Sequence, residues 1–322
     1  MDYHNTTISE EEPSGAKKVG SRFTGHPWRA LLVMVGILGV CNLLIVLVLK
    51  GILSLQEDFL KGYLTWNSFM NILMQFIDIV SLGVGFLAYV IVPFYLRIPR
   101  GARTFKGYLD DIRMTRTRPL FRLLLLTISC DLILILCQGT GSIVYRLSEG
   151  NPITSDFVFR VFDLSQALPP KSFLSFSQFF SMFEEVAFRG VLLTMLLDIH
   201  SPRKAIIYSA IAFGVMHLPA VFTDQLLVFT LGQVVWAFLF GLFYGYLFIK
   251  SGSLLPPMII HWLSNVFQAP LTAYWQTAPE AVRALYGVVF GYGLAAILLI
   301  LWVRFFAAKW LSMPKMSLQR TR

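Results

Sequence analysis

The chain has 322 residues, 56% of them hydrophobic and only 14% charged, with a net charge of +9 and a mean hydropathy of +0.66. A water-soluble domain needs far more charge to cover its surface, so this composition excludes one and marks an integral membrane protein. The positive charge does not point to a nucleic-acid partner, because it is gathered in a few loops where membrane topology accounts for it.

Residues 1–28 are polar, with the run "SEEEPSGAKK", and read as a disordered tail. Apolar stretches able to cross a ~30 Å hydrocarbon layer then recur about eight times. They lie near 30–49, 70–96, 120–142, 173–199, 204–222, 226–249, 255–275 and 284–306. No small-residue cleavage site follows the first, which reads as an anchor and not a signal peptide. Between the second and third spans, residues 97–119 form a basic loop that includes Arg97, Arg100, Arg113 and Arg116. Such a loop suits the membrane surface, as a simple anchor or as a short amphipathic helix on anionic lipid. Residues 143–172 make the longest connection on the other side, and the last five spans follow one another closely.

The expected fold is therefore all-α, a polytopic bundle of about eight transmembrane helices. The expected division is a tail at 1–28, a three-span scaffold at 29–172, a catalytic region at 173–308 and a basic tail at 309–322. Further basic residues lie at Arg203, Lys204 and Lys250, while the loop around Asp224 has none, so both termini are expected in the cytoplasm. Cys41, Cys130 and Cys137 all fall inside spans, which argues against a disulfide framework.

The fourth span contains "FEEVAFRG", Phe183 to Gly190. Ionised residues at a helix centre cost about 2.5–3.5 kcal/mol each, so Glu184, Glu185 and Arg189 facing lipid would cost roughly 8–10 kcal/mol. They are expected to face the bundle interior. Glu185 and Arg189, four apart, suit a helical ion pair, while Glu184 lies about 100° round the helix and is left without that partner. A packing salt bridge explains the pair; a second carboxylate beside it is needless for packing and suits a general base or acid.

Two further motifs follow. "FGVMH" in the fifth span sets Phe213 and His217 one turn apart, and "HWLSN" in the seventh sets His261 and Asn265 one turn apart. A lone histidine in a membrane helix is often an interhelical hydrogen-bonder, but three polar deposits on neighbouring spans can also converge on one pocket. Asp78 and Asp131 either bond to neighbouring helices or line a cavity. Asp198 and His200 read as interface residues, and Gln233 and Tyr244 as either pocket lining or packing.

A carboxylate, two imidazoles and a carboxamide suit attack of water on an amide, with one group taking the proton and others donating to the oxyanion. Glutamate with two histidines is equally a catalytic zinc set, although HExxH is absent. No serine or cysteine stands near a histidine in a nucleophile pattern. At this level, water held by protein and water held by metal remain open.

The ordered triple "EEVAFRG", "FGVMH" and "HWLSN" resembles the three motifs of the CPBP, or Abi, intramembrane proteases, which include the Ras-converting enzyme. "KSGSLLPPMIIHWLSN" is similar to the family's approach to its third motif. The likeness covers about residues 173–270. It implies an intramembrane endopeptidase in which Glu184 activates water and His217 assists. His261 and Asn265 would stabilise the oxyanion, Glu185 and Arg189 would support the site, and Phe213 would shape the pocket. It further implies no cofactor, with zinc as the alternative. The substrate would be a membrane-associated protein or peptide, of which a prenylated CAAX protein is one kind. Short loops and the Gly-Ser-Leu segment favour a bacterial cytoplasmic membrane. The competing uses of this sequence are a proton-coupled transporter, which the missing inverted repeat disfavours, and a catalytically idle scaffold or bacteriocin-immunity factor.

Overall fold

The computed structural model describes residues 23, 25–54, 66–167, 176–222, 226–306 and 309. The two tails expected from the sequence lie almost wholly outside the described residues. Among the described residues there is no strand. The helices are α1 (Pro27–Ser54) and α2 (Trp66–Phe86), the latter continued by a π-helical turn, Leu87–Ile91, and a last helical turn, Val92–Tyr95. Next come α3 (Phe105–Asp111), α4 (Leu120–Ser148), α5 (Ser155–Val161) and α6 (Phe176–Glu185). A π-helical segment, Val186–Leu193, joins α6 to α7 (Thr194–Ile199). Then follow α8 (Pro202–Val215), α9 (Leu227–Ser251), α10 (Leu255–Gln276) and α11 (Glu280–Tyr286), which runs through a π-helical segment, Gly287–Gly293, into α12 (Leu294–Phe306).

Six stretches among the described residues are long and apolar enough to cross a membrane: Pro27–Ile45, Gln75–Tyr95, Leu120–Ser148, Pro202–Val221, Leu227–Ser251 and Glu280–Phe306. These coincide with six of the eight expected spans, and the protein is an integral membrane protein. The two remaining rods, 176–199 and 255–276, are the ones that carry the fourth-span charges and the His261 motif. Their polar residues lower their hydropathy, and the bundle encloses them: every side chain from Val186 to Leu197 is buried. Outward faces are the reverse, with Leu43, Leu132 and Ile297 each more than half exposed. Surfaces of that kind call for lipid, not water.

Two buried apolar clusters hold the bundle. One joins Ala30 and Met34 of α1, Ala88 to Val90 of the π turn after α2, the Val186–Leu197 stretch, Phe213 and Phe248. The other joins Leu126, Cys130 and Leu134 of α4 to Phe240, Phe243 and Tyr244 of α9 and to Ala295 and Leu299 of α12. α8 packs along α9, and α10 lies between α4 and α6.

The basic loop does form a short helix, α3, started by Thr104, whose Oγ1 accepts the Gly107 N–H. Apolar residues of the loop also meet the protein. Ile98, Tyr108 and Ile112 are each 1% exposed and belong to the first cluster. Arg113 lies over the Phe248 ring at 4.7 Å, its carbonyl accepts the Leu254 N–H, and Arg100 pairs with Asp198 at 3.0 Å. Three well-placed apolar residues in the loop are enough to fold it onto the bundle, while its exposed arginines remain outside.

That contact helps to seat α10. Gly252, at φ 67°, ends α9 in the left-handed conformation that favours glycine. Ser253 Oγ then accepts the Leu255 N–H, and a proline stands in the first turn of α10, where its missing N–H costs nothing. The Gly-Ser-Leu run is thus a built corner that sets the height of His261 in the bundle.

Candidate active site

α6 ends at Glu185, and the wider π turns begin at the next residue. Such turns displace backbone carbonyls and are frequent at functional sites. Here two hydroxyls meet the carbonyls: Ser209 Oγ on α8 donates to Phe188 O at 3.0 Å, and Thr194 Oγ1 donates to Arg189 O at 3.4 Å. Nothing in "VAFRGVLL" announces this geometry, so the sequence reading missed it.

Glu185 and Arg189 are both 0% exposed, with Arg189 Nη1 donating to Glu185 Oε1 at 2.8 Å. The ion pair expected from their spacing is present, and it also holds a third group. Nδ1 of His261 lies 2.8 Å from the same Oε1; a carboxylate oxygen only accepts, so Nδ1 carries a proton and donates. The guanidinium sits between two rings, 4.4 Å from the centre of Phe213 and 5.2 Å from that of Tyr244. Its Nε and Nη2, and Glu185 Oε2, have no hydrogen-bond partner among the described residues. The two π faces stand where a soluble protein would place further acceptors.

Glu184 points elsewhere, as the helical rotation requires. Its Oε2 is 3.8 Å from Nε2 of His261. The groups that act on it electrostatically are His261, His217, Glu185 and Arg189, so residues from α6, the π segment, the end of α8 and α10 converge. Asp78 and Asp131 are not among them; Asp131 is buried on α4. Nδ1 of His217 lies 2.9 Å from the Phe213 carbonyl, which only accepts. That nitrogen therefore donates, leaving Nε2 as the second polar atom of the ring. Phe213 stands edge-on to both imidazoles, at 5.2 Å from His217 and 5.8 Å from His261. Asn265 is half-buried one turn beyond His261 on α10.

Two tyrosines also border the cluster, Tyr89, which the sequence did not single out, and Tyr244, which it left between pocket lining and packing. Tyr89, on the π turn after α2, is 1% exposed and within electrostatic reach of Glu184; a tyrosine among apolar residues gives no signal of such a place. Tyr244 stacks on His261, with centroids 5.1 Å apart and planes at 27°. As for zinc, no three His, Cys, Asp or Glu side chains among the described residues are grouped so as to hold a metal ion.

No curated protein and no solved structure matches the chain. A family model does, over just under a third of its length. Residues 166–267 match the family described as Type II CAAX prenyl endopeptidase Rce1-like, and the stretch that is similar to that family holds all three motifs around the cluster above.

Proposed function

We propose that the protein is an intramembrane endopeptidase that hydrolyses a peptide bond in a membrane-associated protein or peptide of the prenylated CAAX type. The reading rests on one observation: His261 is suspended between two carboxylates, with Nδ1 bonded to Glu185 at 2.8 Å and Nε2 facing Glu184 at 3.8 Å. The family match over the same residues supports it.

In this reading Glu184 takes a proton from water, with Nε2 of His217 as the assisting acceptor, and the water oxygen attacks the scissile carbonyl carbon. Nε2 of His261, protonated, and the Asn265 carboxamide donate to the resulting oxyanion. Collapse breaks the C–N bond. The leaving amine takes the proton from Glu184, and the other product is a carboxylic acid, which passes its remaining proton to the freed amine and leaves as a carboxylate. Each oxyanion donor is worth about 2.7–4 kcal/mol in the transition state. Glu185 and Arg189 hold His261 in place, and Phe213 keeps the two imidazoles apart.

The test uses the purified protein in detergent, a farnesylated CAAX peptide and a mixed membrane-peptide library. Glu184→Gln is expected to lower cleavage by about 10²–10⁴-fold with an unchanged melting temperature, as loss of a general base does. Equal cleavage by the wild type and Glu184→Gln overturns the assignment. A strong chelator is expected to leave activity intact; inhibition that zinc reverses would replace the protein-held water with a metal-held one.

A further inference from the structure

The His261 ring is held by one hydrogen bond among the described residues, while its contact with Glu184 is longer, at 3.8 Å. The Nδ1–H bond to Glu185 fixes a single ring atom. The imidazole can still turn about that contact and carry Nε2 away from Glu184. What removes this freedom is a slot of aromatic rings. Tyr244 lies nearly parallel to the imidazole at 5.1 Å and 27°, and Phe213 meets it edge-on at 5.8 Å and 85°. A near-parallel ring and a perpendicular one, both packed close to the imidazole, restrict how it can turn.

We propose that Tyr244 is a positioning residue for His261, acting through the plane of its ring; this rests on the endopeptidase reading above. Tyr244 is suited to the task because it cannot move. It is 1% exposed and is backed by Phe240 and Phe243, at 5.3 and 5.2 Å. The same ring also borders Arg189 at 5.2 Å. One side chain from α9 therefore touches both groups that bind Glu185 Oε1, and sets the height and angle of the imidazole against the π segment and α10 together. The buried hydroxyl has no hydrogen-bond partner among the described residues, which leaves the plane of the ring as what Tyr244 presents to His261. A 1 Å misplacement of a reacting group costs about 10²-fold in rate, and this sets the scale of effect to expect from losing the wall.

The test compares Tyr244→Phe, Tyr244→Leu and Tyr244→Met, the last an unbranched filler that keeps volume without a ring. Two quantities are read: kcat and KM on a peptide that the wild type cleaves, and the Nδ1–H resonance of His261 in protein labelled at its histidine nitrogens, assigned by its loss in His261→Gln. Leu and Met are expected to lower kcat by about 10–100-fold with KM little changed, and to shift or broaden the Nδ1–H resonance. Tyr244→Phe, which restores the plane, is expected to rescue both. The proposal is overturned if Leu or Met keeps kcat and the resonance, or if Phe falls as far as they do, since the hydroxyl would then be the acting group. A lower melting temperature with both readouts intact also overturns it, because the role is then packing alone. Should the wild type cleave nothing, the endopeptidase reading fails, while the resonance still reports whether Tyr244 holds the ring.

Discussion

Arg189→Met removes the cation bonded to Glu185 while keeping a side chain of similar reach. Both partners are 0% exposed, so the remaining carboxylate has no route back to water. Breaking a buried pair from one side costs about 3–5 kcal/mol. His261 still donates to the same oxygen at 2.8 Å, which places the expected loss near the lower end, about 3 kcal/mol. At roughly 2–4 °C per kcal/mol for a chain of a few hundred residues, the melting temperature should fall by about 6–12 °C. Adding Glu185→Leu removes the second charge. Replacing a buried pair by apolar groups is often neutral or better, so the double variant should recover to within about 3 °C of wild type. Its activity should stay lost, because His261 no longer has its anchor. Thermal unfolding in detergent, followed by tryptophan fluorescence, reads the first quantity, and peptide cleavage reads the second. A double variant that melts as low as the single one, or a single variant that melts within about 2 °C of wild type, would refute the buried pair.

Two other substitutions probe the frame of the site. A Cβ on Gly241 would stand 2.8 Å from Ala210 Cα where α8 crosses α9, whereas one on Gly83 meets nothing within 4 Å. Gly241→Ala should therefore destabilise by about 1–3 kcal/mol, and Gly83→Ala should be neutral or slightly stabilising; equal melting temperatures would contradict this. Ser209→Ala deprives the Phe188 carbonyl of its donor in the π segment. It should cost about 1 kcal/mol and lower cleavage along with the melting temperature; no change in either would mean that the π turns hold without it.

Much of the candidate site can be read before any fold is known, for a reason that lies in the solvent. Three ionisable groups on one apolar helix cannot face hydrocarbon, so an interior polar site follows from "FEEVAFRG" alone. The Glu185–Arg189 pair is equally legible, because four residues on a helix bring two side chains together whatever surrounds them. Glu184 is different. Its neighbour His261 is on another rod, and neither their 3.8 Å approach nor the stacking of Tyr244 is encoded in a local period. Both depend on how far α9 and α10 are rotated and raised against the π segment. The basic loop is legible only in part: its many charges hide Ile98, Tyr108 and Ile112, whose burial in the first apolar cluster no charge count reveals.

The amino-acid order by itself determined that this chain lives in a bilayer, that it hides a set of polar side chains there, and which two of its charges pair. These follow from hydration and from the pitch of a helix, both of which act within a few residues. Only the tertiary structure decided which acid faces which imidazole, that the helix widens at Glu185, and that a tyrosine and a phenylalanine close on His261. Contacts between separate helices are set by the rotation and height of whole rods, and those come from packing the entire bundle at once.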